Sequence, residues 1–365
     1  MVARKSRCRV SMGGGPAVLG TATAVPAQAL SQDAVRSRAA AIFRERPALV
    51  EHLAPVYDNA GIRNRYSTVP LDWYASDHGW RERNALYLEH ALALSAEAAE
   101  RCLEKAAVPL GSVDALVAVS TTGIATPSLD ALLMQRLGMR RNVIRLPLFG
   151  LGCVGGVLGL ARAAQVSRAE RGCRVLLVVT ELCGLTFRRR DASKSNVVAT
   201  ALFGDGAAAV LLGPAGEAPG PVVTVGAAGE HTWPNSLDVM GWEVEDDGLR
   251  VIFSRDIPTL IRESFQPALQ AFLERHRLSA TDFDRFLCHP GGAKVLDALE
   301  DVLGLASGAL TDARSVLRDY GNMSAASVLF VLDRALNSDG IGRRALMTGL
   351  GPGFTAGFVV LETRG

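Results

Sequence analysis

The sequence has little of what marks several common protein classes. Charged residues make up 21% and aromatic residues 6% of the 365 residues, while 48% are hydrophobic, which is the mix of a globular protein and excludes disorder, collagen and coiled coil. The formal net charge of +2 offers no strongly basic face and argues against nucleic acid as a partner. Only four of the 39 basic residues are lysine, a bias typical of GC-rich bacterial coding sequences.

Long hydrophobic runs are also missing. The longest uncharged apolar run covers residues 146–161, which is glycine-rich and shorter than the roughly 20 residues that a membrane span needs. The basic N-terminus resembles a signal peptide, but residues 13–16 interrupt its apolar stretch. We therefore expect a cytoplasmic protein without stable membrane insertion, with a disordered basic tail over residues 1–16.

Cysteine is scarce and not spaced for pairing. None of the six cysteines forms a CxxC pair, so the sequence favours a reducing compartment and no structural metal or disulfide scaffold. The cysteines are Cys8, Cys102, Cys153, Cys173, Cys183 and Cys288. One of them could still be a catalytic thiol.

Short apolar runs alternate with helical patterns along the chain, which predicts an α/β layered fold with a largely parallel sheet. The predicted strands cover residues 17–24, 115–120, 143–146, 175–180, 207–212, 286–288, 345–348 and 358–361. The predicted helices cover residues 85–105, 154–169, 259–277, 293–302 and 325–336. The Gly- and Pro-rich stretch 214–221 predicts a linker, and hence two domains over residues 17–220 and 221–365.

The two halves repeat one spacing. Cys153 follows the strand end at Ser120 by 33 residues, as Asn322 follows the strand end at His289. Glu181 follows Cys153 by 28 residues, as Leu350 follows Asn322. These coincidences favour an internal duplication, with a site between the halves where loops at strand ends converge.

Cys153 is the strongest candidate for chemistry. It lies in Gly-Leu-Gly-Cys-Val-Gly-Gly between a predicted strand and a predicted helix, where a helix N-terminus would stabilise a thiolate. Two other interpretations are open: a small buried cysteine in a tight turn, and a GxGxxG dinucleotide motif at Gly150, Gly152 and Gly155. No acidic residue closes the next strand at the distance that the dinucleotide motif requires.

His289 and Asn322 complete a candidate triad. His289 precedes Pro-Gly-Gly at a strand end, and Asn322 occupies the position that corresponds to Cys153 in the second half. A hydrogen-bonded core histidine and a helix cap are the structural alternatives. Together, a thiol and two hydrogen-bond donors suit acyl transfer and stabilisation of a thioester enolate, which requires no metal or organic cofactor.

These motifs resemble the type III polyketide synthases, the chalcone synthase-like group within the thiolase fold. The resemblance runs from about Ala17 to Glu362 and implies a duplicated five-layered α-β-α-β-α fold, with the cysteine in the first half and the histidine and asparagine in the second. The segments that carry it are residues 150–156, 202–209, 289–292, 320–324 and 349–353. Within this family, residues 122–130 and 181–186 of the chain most resemble bacterial alkylresorcinol and alkylpyrone synthases.

The resemblance implies roles for individual residues. Cys153 would carry the starter and the growing chain, and His289 would help to keep it as a thiolate. His289 and Asn322 together would hold the malonyl thioester for decarboxylation. Phe203 would be a gatekeeper and Val251 would stand where the second gatekeeper phenylalanine lies. The remaining substrate-binding residues would be Thr121, Thr126, Cys183, Thr186, Gly291, Gly292, Leu350, Gly351, Pro352 and Gly353. The implied partners are acyl-CoA, malonyl-CoA or methylmalonyl-CoA, and a second copy of the chain.

Some positions depart from the plant members of the family. The basic residues that hold the CoA phosphates there are unmatched at residues 55–59, where nearby Arg63 and Arg65 are either substitutes or solvated surface arginines. Small residues at Thr126, Cys183 and Gly184 predict room for a medium- or long-chain fatty acyl starter. The alternatives are a single-condensation ketoacyl synthase of the fatty-acid initiation type and a non-catalytic scaffold subunit.

Overall fold

The structure is a computed structural model that describes residues 15–169, 172–218, 221–254 and 256–364. Most of the predicted tail, and residues 219 and 220 of the predicted linker, therefore lie outside the described residues. The predicted boundary between residues 220 and 221 stays a prediction.

Within these ranges the chain alternates strands and helices. The strands are β1 (Ala17–Ala24), β2 (Gln28–Ser31), β3 (Asn64–Ser67), β4 (Ala115–Val119), β5 (Ile144–Leu148), β6 (Val175–Leu182), β7 (Asp205–Gly213), β8 (Val222–Thr232), β9 (Met240–Glu245), β10 (Gly248–Phe253), β11 (Arg285–Cys288), β12 (Arg344–Gly351) and β13 (Thr355–Arg364). The helices are α1 (Gln32–Ile42), α2 (Pro47–Asp58), α3 (Trp80–Lys105), α4 (Leu129–Leu137), α5 (Gly155–Ala169), α6 (Lys194–Leu202), α7 (Ile257–Leu260), α8 (Gln266–Arg275), α9 (Ala293–Leu303), α10 (Thr311–Tyr320) and α11 (Ser327–Leu336). A π-helical turn, Ile261–Phe265, joins α7 to α8.

Nine strands form one sheet in the order β11-β12-β13-β8-β1-β7-β6-β4-β5. The pairs β4–β5, β4–β6 and β11–β12 are parallel, whereas the five other pairs in this sheet are antiparallel. The prediction of a largely parallel sheet was therefore wrong. One reason is visible at β12 and β13, which only residues 352–354 connect, since so short a connection can only reverse the chain.

The strand order repeats within the sheet. β4, β6, β7 and β1 follow one another in one half as β11, β12, β13 and β8 do in the other, and only the pair Ala17–Thr224 joins β1 to β8. Helices α5 and α11 pack between the two halves, α3 and α4 cover the first half on its outer face, and α8 and α10 cover the second. The layers thus alternate helix, sheet, helix, sheet and helix.

The two central helices approach closely because their first turns carry small residues. A Cβ atom added at Gly156 would lie 2.2 Å from the carbonyl oxygen of Ala325, and one at Gly155 would lie 3.1 Å from the Ala325 Cβ. Glycine is thus required here for packing. The same contact brings the turn that contains Cys153 next to the turn that follows Asn322.

Candidate active site

One cavity of about 790 Å³ is lined by Cys153, His289 and Asn322 together. Its walls come from both halves of the molecule: α2, the first turn of α6, the end of β10, α7, the first turn of α9 and the end of β12. The predicted triad is therefore assembled in space, although Cys153 lies more than a hundred residues before the other two members in the sequence. Most of the lining side chains are apolar, which suits an acyl chain.

Cys153 lies in the 3₁₀ turn Gly152–Val154 directly before α5 and is 7% exposed. Burial raises the pKa of its thiol to about 11, although hydrogen bonds with the side chains of Ser324 and Asn322 favour the thiolate. The expected thiolate stabilisation by the helix N-terminus is thus outweighed by desolvation. Burial thus favours the neutral thiol.

His289 follows β11 directly and is 4% exposed. Burial lowers the pKa of its imidazole to about 3, so the ring is neutral at physiological pH. Among the described residues neither ring nitrogen has a hydrogen-bond partner. Buried polar nitrogens are seldom left unpaired unless they serve a function, so His289 is poised to exchange a proton or bind a substrate oxygen.

Gly349 lies between the cysteine and histidine segments. A Cβ atom added there would lie 3.1 Å from the His289 Cβ and 3.7 Å from the Cys153 carbonyl oxygen. The close approach of the two catalytic segments thus depends on the absence of a side chain at this position.

Asn322 is held on every side. Its backbone N–H donates to the Leu202 carbonyl at 2.8 Å, and its carbonyl accepts from the Gly204 N–H at 3.0 Å. Its Nδ2 donates to the Gly291 carbonyl at 3.1 Å, and its Oδ1 accepts from the Ser324 N–H at 2.8 Å. An amide nitrogen carries two hydrogens, and the second one serves the hydrogen bond with the Cys153 thiol, so the amide faces the atom that would carry an acyl group.

Ser324 and Glu181 are site residues that the sequence reasoning did not assign. Ser324 has a φ of 45°, an uncommon conformation for a residue with a side chain, and its hydroxyl hydrogen-bonds with the Cys153 thiol. The Glu181 carboxyl is fully buried, and burial raises its pKa to about 7. One oxygen of Glu181 accepts from the Thr121 N–H and the Thr122 hydroxyl, both at 2.9 Å, while the other has no partner among the described residues.

Thr121 connects this carboxyl to the nucleophile. Its Oγ1 accepts from the Gly152 N–H at 3.2 Å, directly before Cys153. The structure thus places Thr121 behind the catalytic turn as a support.

Phe203 forms an aromatic cluster with Phe253 and Trp242. The ring centroid of Phe203 lies 5.7 Å from that of Phe253 and 6.0 Å from that of Trp242. Val251, the residue predicted at the second gate, is buried against Phe203, but Phe253 is the residue of this cluster that lines the catalytic cavity. A strand period of two from Val251 could have revealed Phe253, since alternate residues share a face.

A second, smaller cavity of about 70 Å³ is lined by Phe203, the predicted gatekeeper, which is not among the residues that line the triad cavity. Cys183, Thr186 and Gly184 line it together with apolar side chains of α1 and α6. The Thr186 hydroxyl donates to the Cys183 carbonyl at 2.7 Å, which closes the 3₁₀ turn that carries both residues. Cys183 and Thr186 therefore lie beside Phe203, separate from the triad cavity.

The remaining predicted residues lie at the rim or in tight turns. Gly291, Gly292 and Leu350 line the triad cavity. Gly351 and Pro352 pack against the Cys153 turn, because a Cβ at Gly351 would lie 2.6 Å from the Leu151 carbonyl oxygen and one at Gly152 would lie 2.6 Å from Pro352. Gly353 has a φ of 124° in the turn after β12. Thr126 is exposed on the surface, beside Pro127.

The arginine predictions need a correction. Arg65 is 4% exposed and donates to backbone carbonyls, so it is neither a solvated surface residue nor a lining residue of the triad cavity. Arg63 is exposed and is also absent from that lining. Two lysines that the sequence reasoning did not assign, Lys194 and Lys294, line the cavity from the first turns of α6 and α9.

Metal-holding clusters and membrane-spanning helices are both absent from the described residues. In the part of the chain that the structure describes, no group of three histidine, cysteine, aspartate or glutamate side chains is arranged to hold a metal ion. No helix within the same ranges is long and apolar enough to cross a bilayer.

Comparisons with known proteins match this geometry. The family model for the N-terminal domain of chalcone and stilbene synthases covers residues 3–216, and that for the C-terminal domain covers residues 225–363. A protein of Bacillus subtilis (strain 168), provisionally named a chalcone synthase, is 39% identical over 353 residues, which are 93% of this chain and 96% of the relative. The 1,3,6,8-tetrahydroxynaphthalene synthase of Streptomyces peucetius subsp. caesius is 38% identical over 352 residues, 95% of this chain and 93% of the relative.

Solved structures agree with the sequence relatives. The crystal structure of 1,3,6,8-tetrahydroxynaphthalene synthase from Streptomyces coelicolor A3(2), a bacterial type III polyketide synthase, matches with a TM-score of 0.90 at 26% identity. The match covers 96% of this chain and 99% of that structure. The expected thiolase-like fold is thereby confirmed. The chain belongs to the chalcone and stilbene synthase family of type III polyketide synthases, which are condensing acyltransferases that use acyl-CoA and malonyl-CoA.

Proposed function

We propose that this enzyme extends a medium- or long-chain fatty acyl starter with malonyl-CoA and cyclises the product to an alkylpyrone or alkylresorcinol. The observation that carries the proposal is the single apolar cavity that encloses a thiol, an unpartnered neutral imidazole and a fixed amide donor. Methylmalonyl-CoA is the alternative extender. The chemistry requires no metal and no organic cofactor, because the thioester supplies both the leaving group and the carbon nucleophile.

Loading of the starter begins with an uncharged Cys153 thiol and an uncharged His289 imidazole. His289 accepts the proton of the Cys153 thiol, and the thiolate attacks the carbonyl carbon of the acyl-CoA. The bond to the CoA sulfur breaks, and the CoA thiolate takes the proton back from His289. The acyl group is then a thioester of Cys153, and the imidazole is neutral again, the state that burial favours.

Extension of the chain uses the hydrogen-bond donors of His289 and Asn322. Once Cys153 is acylated, an N–H of His289 and the Nδ2 hydrogen of Asn322 that faced the thiol bind the carbonyl oxygen of malonyl-CoA, so that CO2 can leave and the electron pair remains as an enolate. The enolate carbon attacks the acyl carbon on Cys153, and the cysteine sulfur leaves. The chain, longer by two carbons, is then a CoA thioester and can be reloaded. Preorganised donors in a dry site suit this step because the charge develops on one oxygen.

The starter class rests on space near Phe203. Cys183 and Gly184 are small, and the cavity that they line is also lined by Phe203, whose ring packs against that of Phe253 in the triad cavity. If the Phe203 ring moves, the smaller cavity can extend the larger one. Each methylene group that is buried there would contribute roughly 0.8 kcal/mol to binding, which favours fatty acyl groups over acetyl.

Lys194 and Lys294 would bind the phosphates of the CoA moiety. Both side chains are exposed at the mouth of the cavity, and each lies in the first turn of its helix, where a cation is unfavourable unless an anion is near. Two ammonium groups and two helix N-termini around one opening suit the phosphates of CoA. They would replace the basic residues that plant members carry at positions 55–59.

The proposal includes a homodimer in which β5 meets a second copy. β5 is the terminal strand of the nine-stranded sheet, and Ile144 and Phe149 at its two ends are 46% and 61% exposed. Ile124 nearby is 45% exposed. An edge strand with exposed apolar side chains commonly pairs with another chain. Thr126, which is exposed, would stand where plant members of the family place a methionine that reaches the partner's cavity.

The test is product analysis by mass spectrometry. Purified enzyme receives malonyl-CoA or methylmalonyl-CoA with a ladder of saturated starters from acetyl-CoA to eicosanoyl-CoA, and Cys153→Ala is the control. We expect cyclised products that peak at a fatty starter and vanish in the variant, and light scattering that gives the mass of a dimer. A preference for acetyl or aromatic starters contradicts the fatty starter, and single-condensation products alone would favour a ketoacyl synthase-like reaction.

A further inference from the structure

Arg65 is a buried arginine whose guanidinium points at the end of a helix. It lies in β3, and its Nη1 donates to the carbonyls of Thr200 at 2.7 Å and Phe203 at 2.9 Å. Its Nη2 donates to the carbonyl of Ala201 at 2.7 Å and to the side chain of Gln32. Four hydrogen bonds thus hold one side chain that is 4% exposed.

Two of the three carbonyls, those of Thr200 and Ala201, belong to the last turn of α6, which ends at Leu202, and the third belongs to Phe203, its C-cap. The last carbonyls of a helix lack partners within the helix and carry its negative pole, so a cation there supplies both hydrogen bonds and charge. Arg65 therefore fixes where α6 stops and how the chain leaves it. The first residue beyond the helix is Phe203, the predicted gatekeeper.

The same segment holds Asn322. Leu202 accepts from the Asn322 N–H at 2.8 Å, and the Gly204 N–H donates to the Asn322 carbonyl at 3.0 Å. The stem of Arg65 packs beneath this junction, because Cβ atoms added at Gly204 and Gly321 would lie 3.4 Å and 3.5 Å from the Arg65 Cβ. One side chain is thus in contact with both strands of the bridge between Phe203 and Asn322.

We propose that Arg65 is a positioning residue for the decarboxylation step, which it serves by fixing the backbone from which Asn322 presents its amide. The Cys153 sulfur also hydrogen-bonds with the Asn322 amide, but its turn is held from elsewhere, through Thr121, Ser324 and the packing of α5. Loss of Arg65 therefore disturbs the enolate-stabilising donor and leaves the nucleophile in place. The proposal rests on the proposed use of malonyl-CoA at this site.

The experiment separates the two steps. Arg65→Met removes the donors and keeps most of the stem, and we expect the kcat of CO2 release from malonyl-CoA to fall about a hundredfold, since a shift of about 1 Å in a catalytic group costs that much. Acylation of Cys153 by hexanoyl-CoA, followed by intact-protein mass spectrometry, should stay within about threefold of wild type.

A conservative variant and a matched control complete the design. Arg65→Lys keeps the charge but cannot reproduce the planar fork, so we expect an intermediate loss of about tenfold in CO2 release alone. Arg83→Met removes another buried arginine, which donates to the carbonyls of Leu185 at 2.8 Å and His78 at 2.9 Å rather than to a residue of the bridge. It should cost stability but leave CO2 release within about threefold.

The outcomes are distinct. If Arg65→Met does not fold, Arg65→Lys decides alone, because a selective loss of CO2 release supports the proposal. Equal losses in both steps, or CO2 release at the wild-type rate in a folded Arg65 variant, would overturn it. If wild-type enzyme releases no CO2 from malonyl-CoA, the proposed function fails first, and the role of Arg65 fails with it.

Discussion

The duplicated halves carry different chemistry at equivalent positions, and the difference lies in how many hydrogen bonds each residue makes. Ser120 and His289 end corresponding strands, yet the Ser120 hydroxyl accepts from the Tyr87 hydroxyl at 2.8 Å, whereas both nitrogens of His289 lack a partner among the described residues. One position is satisfied and structural. The His289 position leaves both ring nitrogens open to a substrate, as the proposed function requires.

The positions of Cys153 and Asn322 differ in the same way. Both lie at 3₁₀ turns before a central helix, but the Asn322 side chain is fixed at both of its polar atoms, while the Cys153 sulfur has only the hydroxyl and amide beside it. A donor must be preorganised to stabilise developing charge, whereas a nucleophile must move toward the carbon that it attacks. Each half is thus divided between one residue that its hydrogen bonds fix, Ser120 or Asn322, and one that they leave free to move, Cys153 or His289.

The largest effect is expected when the first pair is exchanged for alanine. His289→Ala should lower CO2 release from malonyl-CoA by about a thousandfold or more, because it removes both the base and an enolate donor. Ser120→Ala should change that rate by less than about threefold and cost about 1–3 kcal/mol of unfolding free energy, since the Tyr87 hydroxyl loses its buried partner. Stopped-flow CO2 detection and urea unfolding measure the two quantities. Equal rate losses in both variants would show that the halves are not divided in this way.

The third equivalent pair, Glu181 and Leu350, predicts a pH effect on stability. The pKa of Glu181 is about 7 in the folded protein against 4.5 in the unfolded chain, so the folded state holds more protons between these values. The stability that this proton provides is present below about pH 4.5 and is lost as the pH rises to about 7. Glu181→Gln cannot titrate, so its unfolding free energy relative to wild type should rise by about 3 kcal/mol across that window.

Glu300 supplies the control for this measurement. It is 2% exposed, but its hydrogen bonds with Arg314 and with the N–H groups of Leu310 and Gly308 lower its pKa. The stability of its charged form is present above about pH 4.5 and is lost as the pH falls through its lower folded pKa. Urea unfolding of Glu300→Gln should therefore show a stability deficit at neutral pH that shrinks in acid. A pH-independent difference for Glu181→Gln would mean that Glu181 is charged throughout.

The sequence predicted the triad because local and repeated signals agreed. Cys153 and His289 stand in glycine-rich turns, and the equal spacings place Asn322 opposite Cys153. The environment of these residues was not accessible in the same way. The pKa of the Cys153 thiol is raised because desolvation depends on both halves closing around it, which no local pattern records.

Other misses have similar causes. Arg65 was assigned to the surface or to CoA, because arginines usually lie in solvent, but its carbonyl partners are about 135 residues away in sequence. Phe253 was missed because the β9–β10 hairpin was not predicted. The sheet was predicted to be largely parallel because alternating strands and helices usually form crossovers, and the direct return of β13 beside β12 breaks that pattern.

The smallest effect is expected at Leu350, the counterpart of Glu181, where a substitution should change only the preferred starter length. Leu350 lines the triad cavity and is 5% exposed, so Leu350→Phe adds volume where the acyl chain would lie. Each methylene group that is excluded should cost roughly 0.8 kcal/mol, or about a fourfold loss in kcat/KM, for long starters only. The preferred starter should therefore become shorter by a few carbons, while acetyl-CoA is used as before. Leu350→Met conserves volume and should keep the wild-type preference. If Leu350→Phe lowers kcat/KM equally for short and long starters, the acyl chain does not pass this residue, and the position serves the fold in both halves.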